Sequence, residues 1–167
     1  MAYWESAQRV TYRGVQMRSR LEGKWAVFFD ALGIPWEYEP KRFYLSGDRS
    51  YLPDFRLWGC VYAEAKPAFK GAEACDPRLT PPMFMKWADV TREHKIDLFQ
   101  LWGVPRIRWY PYWLLGEQAE QVDFSQLAVT GPGYSAPIGY DESWFYNREA
   151  FHAAVGVATT YDWGAAS

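Results

Sequence analysis

Residues 51–57 and 60–66 form two short apolar runs on either side of a glycine-containing turn, and they carry charge where strands seldom tolerate it. Period-two alternation sends Leu52, Asp54 and Arg56 to one face of the first run. In the second it sends Tyr62, Glu64 and Lys66 to one face and Ala65 to the opposite, core face. Carboxylates inside neighbouring strands are costly unless they are paired or bound to a cation. A hard cation such as Mg²⁺ supplies a common reason for both, because it takes oxygen ligands, often from only one or two protein carboxylates, and fills its other positions with water and phosphate.

The surrounding chain supplies the rest of one domain. Its 167 residues are 49% hydrophobic, enough to build a core. In residues 18–32, Leu21, Trp25, Phe28, Phe29 and Leu32 recur at helical spacing, and Gly33 with Pro35 ends the pattern. Glu22 borders that apolar stripe. Tyr12-Arg13-Gly14 predicts a turn, residues 36–45 predict a strand, and Ser46-Gly47-Asp48 predicts the turn after it. The three strands then read as an antiparallel meander. Residues 67–82 read as a loop whose Lys70 and Arg78 reach phosphate. A second helix is expected over 83–102, stopped by Gly103 and Pro105, then a strand over 107–115 and a last helix over 147–157.

Charge is unevenly spread. Residues 1–70 hold 11 Lys and Arg against 8 Asp and Glu, 71–116 hold 6 against 5, and 117–167 hold 1 against 7, within an overall charge of −2. That balance argues against a protein that simply coats nucleic acid. Cys60 and Cys75 lack a CxxC spacing and no apolar signal segment opens the chain, so a reduced, cytoplasmic protein is expected. His94 and His152 are isolated, which argues against zinc, and no apolar run is long enough to span a membrane. Aromatic residues make up 19% of the chain, which fits a core that also presents flat rings at a binding surface.

Phosphodiester hydrolysis needs an activated water, neutralisation of charge on the phosphoryl oxygens, and help for the leaving oxygen. A carboxylate-held metal supplies the first two. Lys66, two residues past Glu64 on the same face, stands where it can orient or deprotonate the water or stabilise the transition-state charge. Arg18, Arg20, Lys24 and Lys70 are candidate phosphate contacts. Glu37 and Glu39 are expected to face solvent. Glycoside hydrolysis fits less well, because it needs two carboxyls facing each other across a bond and leaves Lys66 unexplained.

Glu22 on the first helix, Pro53-Asp54 opening one strand and Glu64-Ala65-Lys66 in the next form an ordered set that resembles the PD-(D/E)XK nuclease superfamily. The resemblance spans residues 18–115 and looks closest to small phage and bacterial nucleases and to the nuclease subunit of heteromeric transposases. It implies an α/β, restriction-endonuclease-like core over residues 1–116, with a central mixed β-sheet flanked by helices in αβββαβ order, and an acidic C-terminal extension over 117–167. It also implies that Asp54, Glu64 and the Ala65 carbonyl bind Mg²⁺, with Mn²⁺ as substitute. Glu22 would complete the site directly or through water, and Lys66 would be catalytic. The expected activity is DNA endonucleolytic hydrolysis in a bacterial or phage-infected cell, with room for a homodimer and no membrane partner. The alternative is a catalytically inactive module of the same fold that binds nucleic acid, or a protein partner through the acidic tail.

Overall fold

Glycine-bearing turns cut the first half of the chain into short strands. The computed structural model, which describes residues 8–67, 81–106, 112–115, 118–121 and 148–164, shows how they pair. Strand β1 (Val10–Tyr12) turns at Arg13-Gly14, as expected, into β2 (Val15–Met17), with Tyr12 opposite Val15. Helix α1 (Arg20–Ala31) follows, capped by the Ser19 hydroxyl, which accepts from the Glu22 amide at 3.2 Å. Gly33 then reverses the chain with φ +69°, a conformation that costs little only without a Cβ.

The single strand expected over 36–45 is two strands in different sheets. β3 (Trp36–Tyr38) ends where Glu39 takes φ 45° and Pro40 has no amide to offer a ladder. β4 (Phe43–Leu45) instead pairs with β5 (Arg49–Tyr51) across the Ser46-Gly47-Asp48 turn. β6 (Phe55–Leu57) and β7 (Val61–Lys66) form the expected antiparallel pair. Trp58 and Gly59 both take positive φ at their turn, 50° and 73°, matching the twist of a tight hairpin. The register sets Phe55 against Ala63, so one step further Asp54 lies across from Glu64.

The helix expected over 83–102 is too long by a strand. α2 (Pro81–His94) ends before Lys95, which takes φ 52°, and the chain continues as β8 (Asp97–Trp102). Leu98, Phe99, Leu101 and Trp102 form an apolar run that suits a strand buried on both faces as well as it suits a helix, and periodicity alone does not separate the two. β8 lies parallel to β7, a pairing that needs a crossover, and α2 is that crossover. The strand expected over 107–115 corresponds to β9 (Tyr112–Leu115), with residues 107–111 outside the described ones, and β10 (Gln118–Gln121) pairs with it. The last expected helix is α3 (Arg148–Thr160).

The resulting architecture is mixed α/β. One six-stranded sheet, ordered β10-β9-β8-β7-β6-β3, is antiparallel except between β7 and β8, and the described residues include three helices. Alternation along β7 and β8 builds two cores. Val61, Ala63, Ala65, Phe99 and Leu101 face α1 and α3, against Trp25, Phe28, Phe29, Phe151 and Ala158. Tyr62, Leu98 and Trp102 face the other way, against Trp87 and Val90 of α2 and Phe43, Leu45 and Tyr51 of the β4–β5 hairpin. No described helix is long and apolar enough to cross a membrane.

Candidate active site

At the open end of the second core, Asp54, Glu64 and Lys66 leave the β6–β7 pair on one face, as the alternation requires. Asp54 is 3% exposed and Glu64 6% exposed. Two carboxylates opposed in adjacent strands repel each other, and the neighbourhood answers with donors. The Ala65 amide donates to Asp54 Oδ2 at 2.8 Å, the Tyr51 hydroxyl donates to Glu64 Oε2 at 2.9 Å, and the Lys66 ammonium pairs with Glu64 Oε1. Compensation is incomplete. Burial, and after it the charges of Glu64 and Glu22, hold the Asp54 carboxyl well above the usual carboxylate range, against the opposing pull of Lys66 and the Ala65 amide. Burial, and after it the charges of Glu64 and Asp54, push the Tyr51 hydroxyl up, so Tyr51 stays a neutral donor.

Helix α1 delivers Glu22 to the same place. Ser19 caps the helix through the Glu22 amide, and the Glu22 side chain turns back across the helix start to accept from the Arg18 amide, one residue before the cap, at 3.0 Å. The Tyr38 hydroxyl donates to the same oxygen, Oε2, at 2.6 Å, and Glu22 is 8% exposed. Burial and the Glu22 contact raise the Tyr38 pKa, again leaving a neutral donor. Arg18 reaches in from the rim: its guanidinium contacts Asp54 Oδ1 at 3.1 Å and Glu39 at 2.6 Å. Burial works against its charge, but Tyr38, Asp54 and Glu39 outweigh that and raise its pKa.

Glu22, Asp54 and Glu64 line a cavity of about 500 Å³, with Arg18, Arg42, Lys66 and Lys86 among its other lining residues. Arg42 hydrogen-bonds Ser50 at 3.2 Å, and the Lys86 ammonium lies 5.8 Å from the Tyr51 ring centre. Sequence reasoning did not single out Tyr38, Arg42, Tyr51 or Lys86. Their contacts join residues from separate elements, and no local spacing marks them. Glu39, expected to face solvent, instead holds Arg18, whereas Glu37 pairs with Arg56 at the surface as a cross-strand neighbour. The spacing Ser19-x-x-Glu22 was the one local signal for how Glu22 is aimed.

Of the candidate phosphate contacts among the described residues, only Arg18 lines the cavity. Lys24 reaches the Thr159 carbonyl at 3.5 Å, Arg20 does not line the cavity, and Lys70 lies outside the described residues. Nor is a metal centre assembled: among the described residues, no three His, Cys, Asp or Glu side chains stand close enough together to hold an ion. Glu22, Asp54 and Glu64 share a cavity without sharing one coordination shell. Mutual repulsion separates them, and Arg18 and Lys66 take up two of their oxygens. The donor set still fits a hard divalent cation. It is all oxygen and buried, which suits a hard cation that takes oxygen ligands. The Ala65 carbonyl belongs to the same set: Lys66 O accepts from Gly103 at 2.7 Å on the β8 side, so the preceding carbonyl projects to the β6 side, with the amide that binds Asp54.

Compared with protein-family models, curated proteins and solved structures, the chain gives no match in any of the three.

Proposed function

We propose that this chain is a divalent-metal-dependent DNA endonuclease with a restriction-endonuclease-like core, hydrolysing phosphodiester bonds with Glu22, Asp54, Glu64 and Lys66 at its centre. The observation that carries the reading is the convergence of three buried carboxylates and Lys66 on one cavity with further cations among its lining residues. The anionic groups suit a cation, and the Arg and Lys that line the cavity with them suit a phosphate backbone. With the β4–β5 hairpin set aside as an insertion after β3, the order α1, β3, β6, β7, α2, β8 supports the core that the resemblance implies.

Glu22, Asp54 and Glu64, with the Ala65 carbonyl, would hold Mg²⁺ or Mn²⁺, which when bound lowers the pKa of a coordinated water and polarises a phosphoryl oxygen. The chain's own groups do the remaining work. Lys66 Nζ, released from Glu64, donates to the phosphoryl oxygen as negative charge builds there. Arg18, Arg42 and Lys86 grip the flanking phosphates.

A panel of supercoiled, linear, branched and single-stranded DNA, incubated with Mg²⁺ or Mn²⁺, tests the assignment. The wild type is expected to cut at least one substrate, and Lys66→Ala to lower the rate by about 10²–10⁴-fold while keeping the fold. Full activity in Lys66→Ala would sink the assignment. A second reading, an inactive module that binds nucleic acid or a protein partner, draws on the ion pairs by which Arg18 and Lys66 occupy oxygens of Asp54 and Glu64. No cutting and no metal-dependent rise in melting temperature would favour that reading.

A further inference from the structure

The three carboxylates share a pattern of attachment that the reading above does not use. Glu22 is held at Oε2 by the Tyr38 hydroxyl and the Arg18 amide, at 2.6 and 3.0 Å, and neither bond uses Oε1. Asp54 is held at Oδ2 by the Ala65 amide, and its Oδ1 faces the Arg18 guanidinium. Glu64 is held at Oε2 by the Tyr51 hydroxyl, and its Oε1 faces Lys66. Each carboxylate therefore has one oxygen fixed by a neutral donor.

We propose that Tyr38 and Tyr51 are positioning residues for a divalent cation, each fixing one oxygen of a carboxylate, Glu22 or Glu64, that would meet the cation through its other oxygen. The inference rests on the metal reading of the site. An entering cation repels Arg18 and Lys66, and their contacts with Asp54 Oδ1 and Glu64 Oε1 are the ones it replaces. It does not displace a neutral hydroxyl, which has no charge for it to oppose. Both phenols are also anchored by their rings: Tyr51 is buried in the second core, and Tyr38 packs edge-on against Phe55 with centroids 5.7 Å apart. Arg18 leaves Asp54 with a second partner in reach, since the same guanidinium nitrogen pairs with Glu39. Exchange thus frees Arg18 and Lys66 for an anionic substrate when the cation enters.

Mn²⁺ binding to the full chain, by calorimetric titration and by the Mn²⁺-dependent shift in melting temperature, tests this without any activity assay. Tyr38→Phe and Tyr51→Phe keep the rings and remove the donors, and each is expected to weaken Mn²⁺ by about 10–100-fold, with a lower metal-free melting temperature because a buried carboxylate loses a donor. Tyr62→Phe serves as control: its ring lies in the same core beside Phe43, and its hydroxyl meets Arg56. It should bind Mn²⁺ as the wild type does. Wild-type affinity in both Tyr38→Phe and Tyr51→Phe, or an equal loss in Tyr62→Phe, overturns the inference and leaves the metal reading standing. No Mn²⁺ binding by the wild type removes both. Should Tyr51→Phe not fold, Tyr38→Phe decides alone, because its ring lies at the edge of the other core.

Discussion

Asp54 is where folding and chemistry pull against each other. It faces Glu64 across the β6–β7 pair, has Glu22 nearby, and is shielded from solvent, so its ionised form is disfavoured in the metal-free protein. One Arg18 contact and one backbone amide offset part of that cost. Asparagine keeps the acceptor for the Ala65 amide and removes the charge. Asp54→Asn is therefore expected to raise the metal-free melting temperature by about 2–4 °C, the equivalent of roughly 1 kcal/mol for a chain of this size. It should also abolish the Mg²⁺-dependent shift. Differential scanning calorimetry with and without metal reads both, and a lower metal-free melting temperature would show that the Arg18 pair outweighs the repulsion.

Among the elements, the β1–β2 hairpin and α1 are clamped by Asp30, which pairs with Arg13 at 3.0 Å and accepts from the Trp36 indole at 3.1 Å. Burial, with the hydrogen bond and charge of Asp30, pushes the Tyr12 hydroxyl up to about 12; Arg13 opposes the shift and Tyr161 adds slightly to it. An acid whose folded pKa lies above its unfolded value adds stability that is complete below the unfolded pKa and lost as pH rises through the folded one. For Tyr12 the window runs from its ordinary value near 10 to about 12. Denaturant midpoints measured across that range should fall less steeply for Tyr12→Phe than for the wild type, and parallel curves would refute the clamp. Elements whose logic is local were legible in the sequence: Gly33 ending α1, the Arg13-Gly14 and Ser46-Gly47-Asp48 turns, and the alternation aiming Asp54, Glu64 and Lys66. What was misread depended on partners elsewhere. Nothing around Leu98 or Trp102 says that β7 lies alongside, and that pairing makes residues 97–102 a strand. Likewise Tyr38 and Tyr51 gain meaning only from Glu22 and Glu64, 16 and 13 residues away in the chain.

At the scale of the molecule, the acidic C-terminal stretch contributes to the core. α3 packs along α1, placing Phe151, Ala154, Val155 and Ala158 in the core behind the sheet, whereas Glu64 and Lys66 leave β7 on the other face. None of the described α3 side chains lines the cavity. This part of the stretch therefore supports α1, which carries the Ser19 cap and Glu22 at its start. Phe151 is the clearest probe, being 6% exposed and edge-on to Phe28 with centroids 5.5 Å apart. Emptying that position should cost about 3–5 kcal/mol, the usual range for Phe→Ala in a core. Urea denaturation of Phe151→Ala should show that loss as a lower midpoint, with Phe151→Leu falling between the variant and the wild type. A loss under about 1 kcal/mol, at the level of an ordinary surface change, would mean that α3 sits outside the cooperative core and that Glu22 is held without it. The expected loss would instead tie Glu22 to the far end of the chain, since whatever loosens α3 from α1 loosens the helix that aims that carboxylate.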